Sequence, residues 1–141
     1  MNNIESYYNV MIAYEKCCKP LCVKFSLPQT AFDILMFLAN NPEYTSARDI
    51  VEIRHIKANL VSVNVDRLVR EKLVERLPVD GDRRKFKLAC THAADPVIKS
   101  GQNMQKEFYN ALLNNIDAAD RKFFSSTLKK INTNVDQILK G

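Results

Sequence analysis

The segment Val74–Thr91, VERLPVDGDRRKFKLACT, decides the fold. Two short runs of alternating apolar and polar residues flank Asp80-Gly81-Asp82. Alternation with a period of two marks a strand with one face turned inward. Gly81 can take a positive φ, and aspartate can bond its own backbone, so the residues between the runs have the chemistry of a tight turn. The segment therefore predicts a β-hairpin. Its tip carries Arg83 and Arg84, at a place where neither guanidinium can serve a core.

The residues before the hairpin read as helices. In KANLVSVNVDRLVREK, Leu60, Val61, Val65, Leu68 and Val69 form an apolar stripe; Lys57, Asn59, Ser62 and Asn64 lie opposite, with Val63 beside them. A turn around Arg54–Ile56 precedes this helix. Before it, SARDIVEI opens with Ser46 and has Asp49 three residues on, a capping-box pattern that starts a short helix. In FSLPQTAFDILMFLANNP, Pro28 suits a first turn, and Ala31, Ile34, Leu35 and Leu38 give an apolar face that ends at Asn40-Asn41-Pro42. Ile4, Tyr7, Tyr8, Met11, Ile12 and Cys18 predict a first helix from about residue 4 to 18, with Pro20 as its stop. After the hairpin, Val97, Met104, Phe108, Leu112 and Ile116 form one stripe. Phe124, Leu128, Ile131, Val135, Ile138 and Leu139 form another, capped by Asp117 with Asp120. At Asp95-Pro96 a helix either begins or bends.

Charge concentrates around the hairpin. Of 21 Lys and Arg and 16 Asp and Glu, the segment Arg54–Lys87 holds ten bases and five acids, and the remainder has eleven of each. The whole net charge of +5 therefore belongs to that segment. A local basic excess is the electrostatic footprint expected of a polyanion-binding surface. With 141 residues, 46% hydrophobic content and three glycines, the chain suits one mostly helical domain with an added oligomerisation element. No apolar run approaches a membrane span, and the N-terminus lacks the pattern of a signal peptide.

A short helix, a tight turn, a second helix with a polar face and a basic-tipped hairpin follow one another in the order of a winged helix-turn-helix. A helix fits the major groove, where polar side chains reach base edges, and a hairpin beside it reaches the neighbouring minor groove, whose negative potential attracts arginine.

The segment LVERLPVDGDRRKFKLACT resembles the MarR family of bacterial transcription regulators, whose wing carries Asp-x-Arg followed by a strand ending in Leu-Thr. Asp82, Arg83 and Arg84 match the first part; Thr91 matches the second, with Cys90 where leucine is usual. SARDIVEI and VDRLVREKLVERLP resemble the family's first helix-turn-helix element and the end of its recognition helix. The resemblance implies a mainly α fold with a small β wing: a winged helix-turn-helix over 26–91, with helical dimerisation regions over 1–25 and 92–141. It implies a cytoplasmic homodimer, a repressor that binds pseudo-palindromic double-stranded DNA. The recognition helix, about 57–71, would enter the major groove and the wing, about 74–91, the minor groove. A small aromatic or phenolic effector would bind between the dimerisation helices and the winged region and release the DNA. DNA-contact roles carry over to Lys57, Asn59, Ser62 and Val63 on the helix, with Val63 standing where the family often has arginine. On the wing they carry over to Arg83 and Arg84, with Arg84 as the minor-groove residue and Asp82 orienting the tip.

Two other readings use the same residues. The basic wing of a helical oligomeric module could dock on an acidic protein partner. Alternatively, Cys17, Cys18 and Cys22 could form a thiol switch, because Lys16 and Lys19 flank Cys17 and cations favour thiolates. Cys18 and Cys90 also fit core positions. His55 and His92 lack the ligand spacing of a metal site. No nucleophile motif, paired-carboxylate spacing or phosphate loop is present, so neither an enzyme nor a cofactor is expected.

Overall fold

Helix α1 (Asn3–Lys24) starts where the Asn2 side chain accepts from the backbone N–H groups of Ile4 and Glu5, while Glu5 accepts from the N–H of Asn2. These bonds satisfy donors that a helix start leaves unpaired. The computed structural model describes residues 2–141. Contrary to the sequence expectation, α1 does not stop at Pro20 but carries it inside the helix. Proline removes the bond to the Lys16 carbonyl, yet Lys16 and Pro20 both lie on the exposed side, where water can serve that oxygen. Leu21, Cys22 and Phe25 pack against the core and hold the last turn, which is how packing overrides a local breaker.

Helix α2 (Gln29–Asn40) is the central element. Its Phe32, Ile34 and Leu35 are fully buried. Around them gather Ile50 of α3 (Ala47–Arg54), Val61 and Leu68 of α4 (Ala58–Arg70), and Val74 of β1 (Val74–Val79). Each such side chain contributes about 1.5–3 kcal/mol of transfer free energy. Strand β2 (Asp82–Cys90) pairs antiparallel with β1. The Leu88 N–H donates to the Thr45 carbonyl at 2.7 Å, which fastens β2 to the segment entering α3. At the base of the hairpin, the Thr91 hydroxyl donates to the Lys72 carbonyl at 2.6 Å and the Thr91 N–H to that of Leu73 at 3.1 Å. The mainly helical fold with a small two-stranded wing expected from the sequence is the observed one.

A 3-10 turn at His92–Ala94 leads into α5 (Asp95–Leu112). The Asp95-Pro96 pair marks a helix start: Pro96 occupies the first turn, where its missing N–H has no partner to lose. Gly101 lets α5 approach α2 closely, since a Cβ there would lie 2.5 Å from the Met36 sulfur. Helix α6 (Ala118–Lys140) is capped by Asp117, which accepts from the Asp120 N–H at 2.8 Å. From its first turn, the Arg121 guanidinium donates to the carbonyls of Leu113 and Ile116, at 2.7 and 2.8 Å, and satisfies oxygens of the link between α5 and α6. The chain forms two compact units, one ending at Lys106 and the other spanning Glu107–Gly141. No single helix among the described residues is long and apolar enough to cross a membrane.

Candidate nucleic-acid interface

The geometry of α3, its turn and α4 follows from a few local bonds. At the start of α3 the Asp49 N–H donates to the Ser46 hydroxyl at 3.0 Å, and the Asp49 carboxylate accepts from the N–H groups of Thr45 and Ser46, each at 3.1 Å. The Ser46 hydroxyl bond, with these backbone donors, holds the Asp49 carboxyl below the usual carboxylate range. At the other end, His55 is left-handed, with φ of 55°, and its N–H donates to the Val51 carbonyl at 3.0 Å. That single reversal turns the chain from α3 into α4. Ile50, Val61, Val65 and Leu68, all buried, lock the two helices together and over α2.

Helix α4 turns Asn59, Val63, Asp66 and Arg70 outward. Their spacing of four, three and four residues keeps them on one strip, opposite the buried Val61, Asn64, Val65 and Leu68. Ser62 is exposed at the edge of the strip, and Lys57 is exposed at the N-cap. Two residues depart from the sequence reading. Asn64, expected on the polar side, is 8% exposed, and its amide donates to the Leu60 carbonyl at 2.8 Å. The bond back to its own helix satisfies the amide and lets Asn64 sit inward. Leu60, expected in the apolar stripe, is 44% exposed instead. The 3.6-residue period puts it to the side of the stripe that Val61, Val65 and Leu68 define.

The wing tip is shaped by an irregular register. Val79 opposes Asp82, but Pro78 opposes Phe86, so Arg83, Arg84 and Lys85 have no cross-strand partner. A bulge of this kind bends the strand and redirects its side chains. Gly81 takes the positive φ of 82° that the turn needs. The Asp82 carboxylate accepts from the backbone N–H of Arg84 at 2.9 Å, so Asp82 orders the tip through the main chain. The Arg83 and Arg84 guanidiniums are exposed and make no ion pair among the described residues.

Three other bases in the segment, Arg54, Arg67 and Arg76, are engaged. Arg54 reaches Asp33 at 3.9 Å. Arg67 pairs with Glu71 at 3.1 Å and donates to the Ser26 carbonyl at 3.0 Å. Arg76 of β1 pairs with Asp66 of α4. The Asp66–Arg76 link joins residues of different elements and has no local spacing signal, so sequence reasoning missed it. The i,i+4 spacing of Arg67 and Glu71 could have been read directly. Lys57 at the head of α4, Arg70 on its outward strip and the bulged Arg83, Arg84 and Lys85 of the wing are exposed and make no ion pair among the described residues, so they can meet an anion on this surface.

The three cysteines of α1 lie away from this surface. Cys17 is exposed, Cys18 is buried and Cys22 is half-buried. Burial pushes the Cys18 and Cys22 thiols up, the opposite of what a reactive thiolate requires. Cys90 packs at the core edge, and burial raises it too.

Residues 25–85 match the family model described as MarR family. The fold is similar to that of transcriptional regulator PA3341, at 21% identity and a TM-score of 0.83, over 95% of this chain and 97% of that one. It is also similar to a SlyA-like transcription regulator from Listeria monocytogenes, at 14% identity and a TM-score of 0.84, over 97% and 91%. A third similar structure is the MepR–DNA complex from S. aureus, at 18% identity and a TM-score of 0.60, over 92% and 98%.

Proposed function

We infer that the chain is a cytoplasmic, dimeric repressor that binds double-stranded DNA: residues 25–85 match the MarR family model, and the fold is similar over nearly the whole chain to those of solved transcription regulators. The observation that carries the reading is the pairing of an outward polar strip on α4 with a bulged, unpaired Arg83-Arg84 tip beside it. Helix α4 would lie in the major groove, with Lys57, Asn59, Ser62 and Val63 toward the bases. Arg84, with Arg83, would enter the adjacent minor groove, held by Asp82. The solved complex of the similar MepR with DNA supports this use of the fold.

Dimerisation through residues 1–25 and 92–141 is supported by apolar side chains that the single chain leaves uncovered. Ile4, Tyr7, Tyr8 and Ile12 on α1 are each more than 60% exposed, as are Phe123 and Ile138 on α6. Scattered exposed apolar residues are ordinary, but rows of them along helices mark an interface. A dimer would space two copies of α4 about 34 Å apart, one turn of duplex. Release by a small aromatic or phenolic effector is supported by a cavity of about 340 Å³ among α1, α2 and α5, lined by Tyr14, Asp33, Met36, Phe37, Arg54 and Gln105. Such a compound acts only if it binds the DNA-incompetent state better.

The test is a shift assay of the purified chain on fragments of its source genome, across a range of salt, with the mass of the free protein measured in solution. The expected result is a dimer whose affinity falls steeply as salt rises, because counterion release drives phosphate binding. No shift at any salt counts against DNA binding. If the chain instead retains an acidic protein, and Lys57→Ala and Arg84→Ala abolish that, the wing serves a protein partner.

A further inference from the structure

The reading strip of α4 contains one residue whose chemistry is wrong for phosphates and for polar base edges. Val63 is 65% exposed, one turn after Asn59 and on the same strip. It contributes nothing to the core, whose α4 members are Val61, Val65 and Leu68. Ala58, at the start of the same helix, is exposed and small, so the head of the helix can approach a groove floor closely. The major groove offers only one apolar group, the methyl on C5 of thymine, and branched aliphatic side chains fit against it. Asn59, four residues earlier, has the donor and acceptor that pair bidentately with adenine N6 and N7.

We propose that Val63 is a specificity-determining residue that packs on a thymine methyl, so that Asn59 and Val63 together read adjacent A·T pairs in each half-site. The inference rests on the DNA-binding reading and adds to it the base that the site demands. The two side chains follow one another along a single groove wall, so their targets are neighbouring base pairs. The phosphate contacts of Lys57 and the wing position the helix without reading sequence. Discrimination for thymine therefore falls to an apolar contact that phosphate and salt do not touch.

Duplexes selected by the full-length protein from a random library supply the probe, and each thymine in the recovered half-site is replaced singly by uracil, which lacks only the methyl. Loss of one buried methyl contact weakens binding about fourfold. The expected result is that loss at one position per half-site for the unaltered protein, and no thymine–uracil difference there for Val63→Ala. An unchanged thermal midpoint of Val63→Ala shows that the variant is folded. The assignment is overturned if uracil is tolerated at every position, or if Val63→Ala still distinguishes the two bases. If no duplex is enriched at all, the DNA-binding reading itself fails, a result distinct from tolerance of uracil.

Discussion

The Arg76 guanidinium on β1 donates to the Asp66 carboxylate on α4, and this pair ties the wing to the outward strip of the helix. Asp66 shares that strip with Asn59 and Val63. Left alone, its charge would repel the phosphates on either side of a groove. Both side chains are partly exposed, 58% for Asp66 and 37% for Arg76, so the pair contributes only about 0–1 kcal/mol to stability. Its effect on binding should be larger, because it both neutralises Asp66 and fixes the angle between helix and wing. Arg76→Ala is expected to lower DNA affinity by about 1–2 kcal/mol, a factor of about 5–30, with little change in melting. Asp66→Asn should recover part of that loss. A double-mutant cycle measured on one duplex gives the coupling directly, and a coupling near zero would mean that wing and helix act independently.

The wing and the helix should fail differently. The Arg84 guanidinium is free and exposed at the bulge, so Arg84→Ala should weaken binding on every duplex and lower the salt slope by about one unit. Asn59→Ala should instead cost about 1–3 kcal/mol of discrimination between selected and scrambled duplexes while leaving non-specific affinity nearly intact. Titrations of both variants on both duplexes at two salt concentrations separate the effects. The reverse pattern would exchange the two roles.

Lys72 closes α4 with a left-handed φ of 63°. Its own N–H and that of Leu73 donate back to the Val69 and Leu68 carbonyls, at 3.0 and 2.9 Å, which holds a Cβ-bearing residue in a conformation that glycine adopts freely. Lys72→Gly is therefore expected to stabilise the fold by about 0.5–1 kcal/mol. The urea midpoint should rise at an unchanged slope. A lower midpoint would mean that Lys72 makes a compensating interaction through its side chain.

Residues whose partners lie close in sequence were legible without coordinates. The Ser46–Asp49 box, the Asp117 cap and the turn at Gly81 depend on neighbours three residues away or fewer, and each forms as its residue types require. Pro20, Asn64 and Leu60 were misread because packing decides them. Pro20 stays helical when the turn after it is held by core contacts. Asn64 goes inward when its amide can bond the Leu60 carbonyl one turn back. On the candidate surface the residue types of α4 and the wing were visible, but the bulge that releases Arg83 and Arg84 depends on a cross-strand register. The Asp66–Arg76 tie depends on how β1 returns past α4. Neither leaves a periodic trace in the sequence.

Tyr14 supplies a pH signal from the far side of the winged region. Its hydroxyl accepts from the Gln105 amide at 2.8 Å. Burial, opposed by the Gln105 bond and reinforced by Cys18, pushes the phenol from 10.0 up to about 12. A folded value above the unfolded one means that the fold favours the neutral phenol. That contribution is fully present below pH 10 and is lost as pH rises from 10 through about 12. Tyr14→Phe cannot ionise, so its stability relative to the unaltered chain should be constant from neutral pH to about pH 9.5 and then improve as the pH rises further. The variant leaves the Gln105 amide without its acceptor, which offsets its stability by a pH-independent amount of about 1 kcal/mol. The measurement is the denaturant midpoint of both proteins against pH, beside the near-ultraviolet phenolate absorbance. A step near 12 should be present in the unaltered chain and missing from Tyr14→Phe. A relative stability that stays flat through pH 11.5, or a step that survives the substitution, would remove Tyr14 from this role.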